Sequence, residues 1–301
     1  MSWEEEAFEK WKHLCYDGEG NPVGYRQLKS RLPIGERYAR RLAKYVRRLK
    51  REQAKTILVI GDAHFEPDQN MARATWAGRM IEDIQPDAVV VMGDWGEFGS
   101  LSHWDKGTIR MEGRRYREDI QACNQAIRLL EAELSTYSGE KHFITGNHEH
   151  RIVRAVESKP ELHGFMGLDD LHWDKFGWKT HNFLAPAELQ GILFSHYFHP
   201  RGSNRAISGK HVCQNLLGKL HVSCVVGHNH ILDYARDVDA RGFEIMALSV
   251  GCYFEEHHEW ANQSNHHYWR GICLLHGARE GRFDLETFSM GRIKDEWAGR
   301  R

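Results

Sequence analysis

Five short apolar runs in this chain each lead into a polar residue of a type that binds divalent metals. Thr56-Ile57-Leu58-Val59-Ile60 runs into Gly61-Asp62, Ala88-Val89-Val90-Val91-Met92 into Gly93-Asp94, and His142-Phe143-Ile144-Thr145 into Gly146-Asn147-His148. Ile192-Leu193-Phe194 runs into Ser195-His196, and Val222-Ser223-Cys224-Val225-Val226 into Gly227-His228-Asn229-His230. Aspartate, asparagine and histidine offer the oxygen and nitrogen donors that suit a pair of hard-to-borderline divalent ions. Asp62 and His64 are two residues apart, as are His228 and His230, so on extended backbone each pair points to one side. The glycines at 61, 93, 146 and 227 allow tight turns and close approach of backbone to a ligand. Taken singly, each landing is an ordinary turn. Five of them in one chain, each closing an apolar run, point to one converging site.

Strands must carry these residues, and helices must return the chain between them. Helical patterns lie near 71–84, 114–137 and 204–217, and 245–250 and 272–275 read as further strands. Continuous apolar strands alternating with helices predict an α/β protein with buried sheets. In open folds of this kind ligands bind beyond the carboxyl ends of the strands, where all five landings fall.

The first fifty or so residues are of another kind. Glu4, Glu5, Glu6 and Glu9 open a helix predicted to end near Tyr16, and Asp17-Gly18-Glu19-Gly20-Asn21-Pro22 is turn chemistry. Residues 26–51 carry Arg26, Lys29, Arg31, Arg37, Arg40, Arg41, Lys44, Arg47, Arg48, Lys50 and Arg51 against Glu36 alone. Tyr38, Leu42, Tyr45 and Leu49 recur there at helical spacing, with the cations mainly on the other face. A short helix (about 24–31), a turn at Leu32-Pro33-Ile34-Gly35 and a longer basic helix (about 36–52) resemble a helix-turn-helix unit. The basic helix reads either as a solvated packing helix or as a nucleic-acid contact. The expected division is a basic helical unit over 1–54 and a catalytic domain over 55–301.

Composition narrows the setting. The chain has 301 residues, 41% hydrophobic and 28% charged, as expected of an ordinary globular protein. The formal net charge of -1 averages over an uneven distribution and so identifies no partner. No apolar run approaches the roughly 18 residues of a membrane span, and the acidic, amphipathic start MSWEEEAFEKW does not read as a secretory signal. Cys15, Cys123, Cys213, Cys224, Cys252 and Cys273 stand singly, which suggests reduced thiols in a cytoplasm, bacterial or phage-infected, rather than a disulfide frame or thiolate zinc site.

Gly61-Asp62-Ala63-His64, Gly93-Asp94, Gly146-Asn147-His148-Glu149, the lone His196 after a strand and Gly227-His228-Asn229-His230 together resemble the calcineurin-like metallophosphoesterase superfamily, over about residues 55–276. The resemblance implies a four-layer α/β/β/α sandwich of two mixed sheets flanked by helices. It implies that Asp62, His64 and His230 hold one metal, that Asn147, His196 and His228 hold another, and that Asp94 bridges them. His148 would be the acid beside the phosphate. Two such ions lower the pKa of a shared water, and the bridging hydroxide attacks phosphorus in line while His148 protonates the leaving alkoxide. The donor set suits Mn²⁺ first, with Fe²⁺, Zn²⁺ and Ni²⁺ as alternatives. Phage-encoded members look similar in plan, including the Ser-Val-Gly-Cys segment at 249–252.

Several residues have two readings. His199, three residues on, rivals His196 as the lone-His ligand. Glu149 either orients the His148 imidazole or starts a helix, where an acid favours the dipole. Phosphoprotein phosphatases of the superfamily follow the second motif with Asp-Arg-Gly; here Trp95-Gly96-Glu97-Phe98-Gly99 has no arginine. A diester carries less charge and needs that cation less, which leans toward phosphodiester or nuclease chemistry. His150 and Arg151 either bind phosphate or cover the start of a helix. His103 and Trp104 are either a substrate gate or a packed loop anchor. The run from His257-His258-Glu259-Trp260 to His266-His267-Tyr268-Trp269 either stacks nucleobases or packs over the sheet. The expected function is metal-dependent hydrolysis of phosphodiesters, with DNA or RNA as substrate. The alternatives are a phosphomonoesterase for a nucleotide or small molecule, and a nucleic-acid-binding protein with an inert phosphoesterase domain.

Overall fold

The computed structural model describes residues 2–17, 22–52, 54–255 and 265–299. The chain divides into two compact units, Met1–Ala54 and Lys55–Arg301.

In the first unit, α1 (Trp3–Trp11) starts at a capping box: the Glu5 amide donates to Ser2 Oγ while the Ser2 amide donates to Glu5 Oε2. The helix stops earlier than its acidic run suggested, giving way to a 3₁₀ turn over Lys12–Leu14. α2 (Tyr25–Arg31) and α3 (Glu36–Glu52) follow, with Pro33 and Gly35 between them. The buried stripe of α3 is Ala39, Leu42, Ala43 and Val46, packed with Phe8, Cys15, Leu28 and Leu32. Tyr38, expected on that stripe, is 45% exposed. Two alanines let the helices approach closely, and the larger tyrosines go to the rim. Gly18 to Asn21, in the anticipated turn, lie outside the described residues.

The second unit holds two mixed sheets. In the first, β1 (Lys55–Ile60), β2 (Ala88–Val91), β3 (Glu140–Ile144) and β4 (Lys179–His181) run parallel as neighbours. β10 (Gly271–Arg279) lies antiparallel to β1, and β11 (Arg282–Ser289) antiparallel to β10. In the second, β6 (Ile192–Ser195), β7 (Cys224–Val226) and β9 (Glu244–Val250) are parallel. β5 (Ala187–Leu189) and β8 (Leu232–Val238) close its edges antiparallel.

Successive strand residues face opposite sides, and both sides are buried, which is why the strands read as unbroken apolar runs. Ile57, Val59, Ala88, Val90 and Ile144 point inward against Phe194, Val225, Leu248 and Val250 of the other sheet. Leu58, Ile60, Val89, Val91 and Phe143 point outward against α4 (Ala72–Ile84) and α5 (Tyr116–Glu131). On the far side, Val226 and Ala247 pack on α7 (Val212–Leu220). The order is helix, sheet, sheet, helix, as expected.

Two helix ends fell elsewhere than expected, for long-range reasons. α7 begins at Val212 rather than near 204, because Asp233 Oδ2 on β8 accepts from the Cys213 amide at 2.8 Å and supplies the missing cap. α5 ends at Glu131, and the turn after it is captured by Glu82. That carboxylate accepts from Ser135 Oγ, Thr136 Oγ1 and the Thr136 and Tyr137 amides.

Candidate metal centre

Asp62 and His64 follow β1, Asp94 follows β2, and Asn147 and His148 follow β3, so parallel neighbours set these side chains in a row. His196 follows β6, and His228 and His230 follow β7, in the second sheet. The carboxyl ends of both sheets meet here, and their donors intermingle. Asp62 Oδ2 is 2.8 Å from His230 Nε2, which is 3.3 Å from His64 Nε2. His196 Nε2 is 2.9 Å from Asn147 Oδ1 and 3.2 Å from Asp94 Oδ2. Ligand atoms lie within 4.8 Å of one another in three groups: Asp62 with His64 and His230; His64 with Asp94 and His148; Asp94 with His196 and His228. Asp94 belongs to two of them. His199 is in none, and its ring packs on Tyr197 at 5.2 Å, so His196 is the histidine that meets Asp94.

The turns are strained. His64, Asp94, His228 and His230 all have φ between 47° and 63°, a region that non-glycine residues rarely enter. Four such residues in one cluster mark a backbone held for the sake of its side chains. The flanking glycines make room: a Cβ on Gly227 would stand 2.5 Å from Asp62 Oδ1, and one on Gly146 would collide with Asp94 Oδ1.

Hydrogen counting indicates a cation. His196 Nδ1 donates to the Met92 carbonyl at 2.7 Å, which leaves Nε2 to meet the other side of the site. Nε2 faces the Asp94 carboxylate and the Asn147 amide oxygen, both acceptors, so it needs a proton or a metal ion between them. Burial disfavours charge on this ring, yet Asp94 and Asp62 outweigh it and push its pKa up to about 10. The same negative potential would hold a metal. His64 repeats the pattern, with Nδ1 at 2.6 Å from Glu97 Oε2 and Nε2 aimed at His230. Burial likewise opposes ionisation of Asp94, but His148 and His196 keep its carboxyl well below the usual range. The residues fit two divalent ions.

His148 Nδ1 donates to the Glu97 carbonyl at 2.7 Å, and its Nε2 accepts from Arg151 Nη2 at 2.9 Å. Burial lowers its pKa to about 4, so the resting ring is neutral. Arg151 also donates to the carbonyls of Glu97, at 2.8 Å, and Phe98. The cation absent after Asp94 is therefore present in space, from the helix α6 (His150–Ser158). His150 stacks on Phe183, 4.6 Å between rings.

Glu149 starts the helix, as the N-cap of α6, and does more than that reading expected. It is fully buried just before α6; Oε2 accepts from the Asp94 and Gly146 amides at 2.9 and 2.8 Å, and Oε1 from the Gly96 amide. It staples two ligand loops together and makes no hydrogen bond to the His148 ring among those described. Trp104 is 87% exposed and His103 is exposed beside it, so neither is a packed anchor. Tyr268 packs edge-on against His230 at 4.7 Å, while His257, His258, Glu259 and Trp260 lie outside the described residues.

Two residues escaped the sequence reading. Glu97 touches both His64 and His148, and burial notwithstanding, those rings bring its pKa down to about 2. An acid three places after Asp94 was its only signal. Arg73, fully buried on α4, donates to the carbonyls of Ala63 and Tyr253, and the Tyr253 amide in turn donates to the Asp62 carbonyl at 2.6 Å. It braces the first ligand turn from a helix whose sequence shows only amphipathic spacing.

Residues 55–280 match the calcineurin-like phosphoesterase family. The chain is similar to the gene 54 proteins of mycobacteriophages L5 and D29. It shares 28% and 26% identity with them over 185 residues, 59% of this chain and 69% of each relative. A dimetal phosphatase from Danio rerio superposes with a TM-score of 0.42 at 13% identity, over 79% of this chain and 96% of its own. With that family match and the buried His and Asp clusters together, the chain belongs to the calcineurin-like phosphoesterases and is a metal-dependent phosphoester hydrolase built on a dimetal site.

Proposed function

We propose that this chain hydrolyses phosphodiester bonds in nucleic acid. In this reading Asp62, His64 and His230 hold one ion, Asn147, His196 and His228 hold the other, and Asp94 joins them. The ligand-atom groups support that division, with Asp94 between His148 and His196. When bound, the ions supply a water of lowered pKa and offset charge on the phosphoryl oxygens. Imidazole, carboxylate and amide donors without a thiolate favour Mn²⁺ over softer choices.

The chain's own residues do the rest. The Glu97 carbonyl fixes the His148 tautomer. In the resting site Nε2 accepts from Arg151 Nη2; once that one contact opens, with Arg151 Nη1 still on the Glu97 and Phe98 carbonyls, Nε2 faces the ester. A phosphate anion arriving beside that ring raises its pKa, so it takes up a proton with the substrate and returns it from Nε2 to the leaving oxygen. Glu97 holds His64 as well, so one carboxylate orients a ligand and the proton donor together.

The observation that carries the diester reading is the state of Arg151. Its donors are turned inward on the Glu97 and Phe98 carbonyls and on His148, and Glu97 Oε1 lies 3.8 Å from Nη1. With Nη1 and Nη2 so engaged, the guanidinium does not present its Nη1–Nη2 fork to a terminal phosphate dianion, whereas a diester has one charge for the two ions to offset. Its position beside His148 also supports a second reading: a guanidinium released from the ring would grip a phosphomonoester. The basic unit over 1–54 is proposed to recruit nucleic acid, in a bacterial or phage-infected cytoplasm. No helix among the described residues is long and apolar enough to cross a membrane.

The test is hydrolysis of bis-p-nitrophenyl phosphate against p-nitrophenyl phosphate with Mn²⁺. The diester should be turned over at least about tenfold faster, a difference of about 1.4 kcal/mol in barrier. Preference for the monoester would overturn the diester reading, and turnover of neither by metal-loaded protein would leave a binding protein with an inert site.

A further inference from the structure

The loop over residues 102–115 follows directly on the segment that holds His148. Its root is fixed. Ser100 donates through its amide and Oγ to Asp119 Oδ2 at 3.1 and 2.6 Å, and Ser102 is buried. Asp105 binds Arg114 at 3.3 Å across the loop and Arg110 at 3.6 Å, so both limbs are tied together. The tip is not packed: Trp104 is 87% exposed and Ile109 80%, with exposed His103 and Lys106 beside them.

A tryptophan displayed on a loop this well footed asks for a ligand, because such a ring in water forgoes the burial that most tryptophans obtain. The chemistry around it selects one. Residues 102–115 carry Lys106, Arg110, Arg114 and Arg115 against Asp105 and Glu112, and with Arg110 and Arg114 drawn to Asp105 the cations left to a ligand are Lys106 and Arg115. Aromatic faces interleaved with cations bind single-stranded nucleic acid, the ring stacking on a base and the cations tracking phosphates. Trp104 follows Phe98, whose carbonyl holds Arg151, by six residues, so the loop borders the site along the chain.

We infer that this loop is a nucleic-acid lip: Trp104 stacks on an unpaired base flanking the scissile phosphate, and Lys106 and Arg115 contact the neighbouring backbone. The inference rests on the phosphodiesterase reading and gives it a substrate class, single-stranded or unpaired segments rather than intact duplex.

The experiment uses the full chain, wild type against Trp104→Ala and Trp104→Phe, with two substrates and Mn²⁺. One is bis-p-nitrophenyl phosphate, which has no flanking base to stack; the other is a labelled single-stranded oligothymidylate. Loss of one stacked base costs roughly tenfold. Trp104→Ala should raise KM for the oligonucleotide by about that factor more than for the small diester, and Trp104→Phe should recover most of it. Equal losses on both substrates would overturn the inference, since they would mean a structural role at the metals. Binding of the same oligonucleotide without metal, read by fluorescence anisotropy, decides the matter independently of turnover. A Kd unmoved by Trp104→Ala overturns the lip even where the small diester is cleaved. A Kd raised tenfold supports the lip even where no diester is cleaved and the phosphodiesterase reading has failed. Loss of self-association in place of oligonucleotide binding would assign the surface to a second copy of the chain and overturn it too.

Discussion

The two ligand groups of the metal centre use the same residue types, yet they are held in different ways. Asp94 and His196 are fixed by main chain and by one acid that binds only main chain: the Met92 carbonyl takes the His196 Nδ1 proton, and Glu149 clamps the Asp94 and Gly146 amides. Asp62 also accepts from main chain, the His228 amide, but its group with His64 and His230 depends in addition on side chains brought from a distance. Glu97 engages His64, Arg73 holds the turn between Asp62 and His64, and Tyr268 covers His230. A group braced by main chain is as rigid as the sheet it ends. One braced by side chains can be loosened by a single substitution, and so the two ions should be separable by mutation.

The largest effect is expected where the groups meet. Asp94→Asn removes the shared charge and should lower hydrolysis by about a thousandfold or more, with metal analysis showing loss of at least one ion. Wild-type rate and metal content in that variant would refute the site assignment. Glu97→Gln tests the asymmetry itself. Outer contacts to a metal ligand are worth about 10–100-fold in affinity, so titration should show one ion weakened by that factor and the other nearly unaffected. Equal weakening of both would mean the groups are one unit. Arg73→Met should act through stability as well, since it strips partners from buried carbonyls at about 1–3 kcal/mol each. Its thermal midpoint should drop, and added Mn²⁺ should restore part of it. A midpoint equal to wild type would show that the brace is idle.

The smallest effect lies away from the centre, at Glu82. Its hydrogen bonds from Thr136, Ser135 and Tyr137 lower its pKa from 4.5 to about 2. A depressed carboxyl contributes stability above pH 4.5 and loses it as the pH falls toward 2. Glu82→Gln should therefore melt slightly below wild type at neutral pH, with the gap closing in acid below pH 4.5. A gap that widened in acid would reverse the sign and disprove the linkage.

Much of this centre was legible before folding. Asp62, His64, Asp94, Asn147, His228 and His230 each close an apolar run, and a strand end is a local property that such a run announces. The glycines at 146 and 227 were legible for the same reason, though only the structure shows which oxygens they admit. Helix ends were less legible where a distant residue supplies the cap, as Asp233 does for α7. Glu97 and Arg73 were missed because their partners, His64 and Tyr253, stand 33 and 180 residues away in sequence. Glu149 was legible as a helix start but not as a clamp, because its three amide partners come from two loops.

By itself, then, the sequence determined the α/β alternation, the five polar landings and the donor chemistry, since strand ends and residue types are set by neighbours along the chain. Tertiary structure decided that His196 and not His199 meets Asp94, that Arg151 lies against His148, and that Trp104 stands in solvent. Each of those depends on which loops are brought side by side when both sheets pack. Packing is a long-range outcome of burying both sheet faces, and no local pattern encodes it.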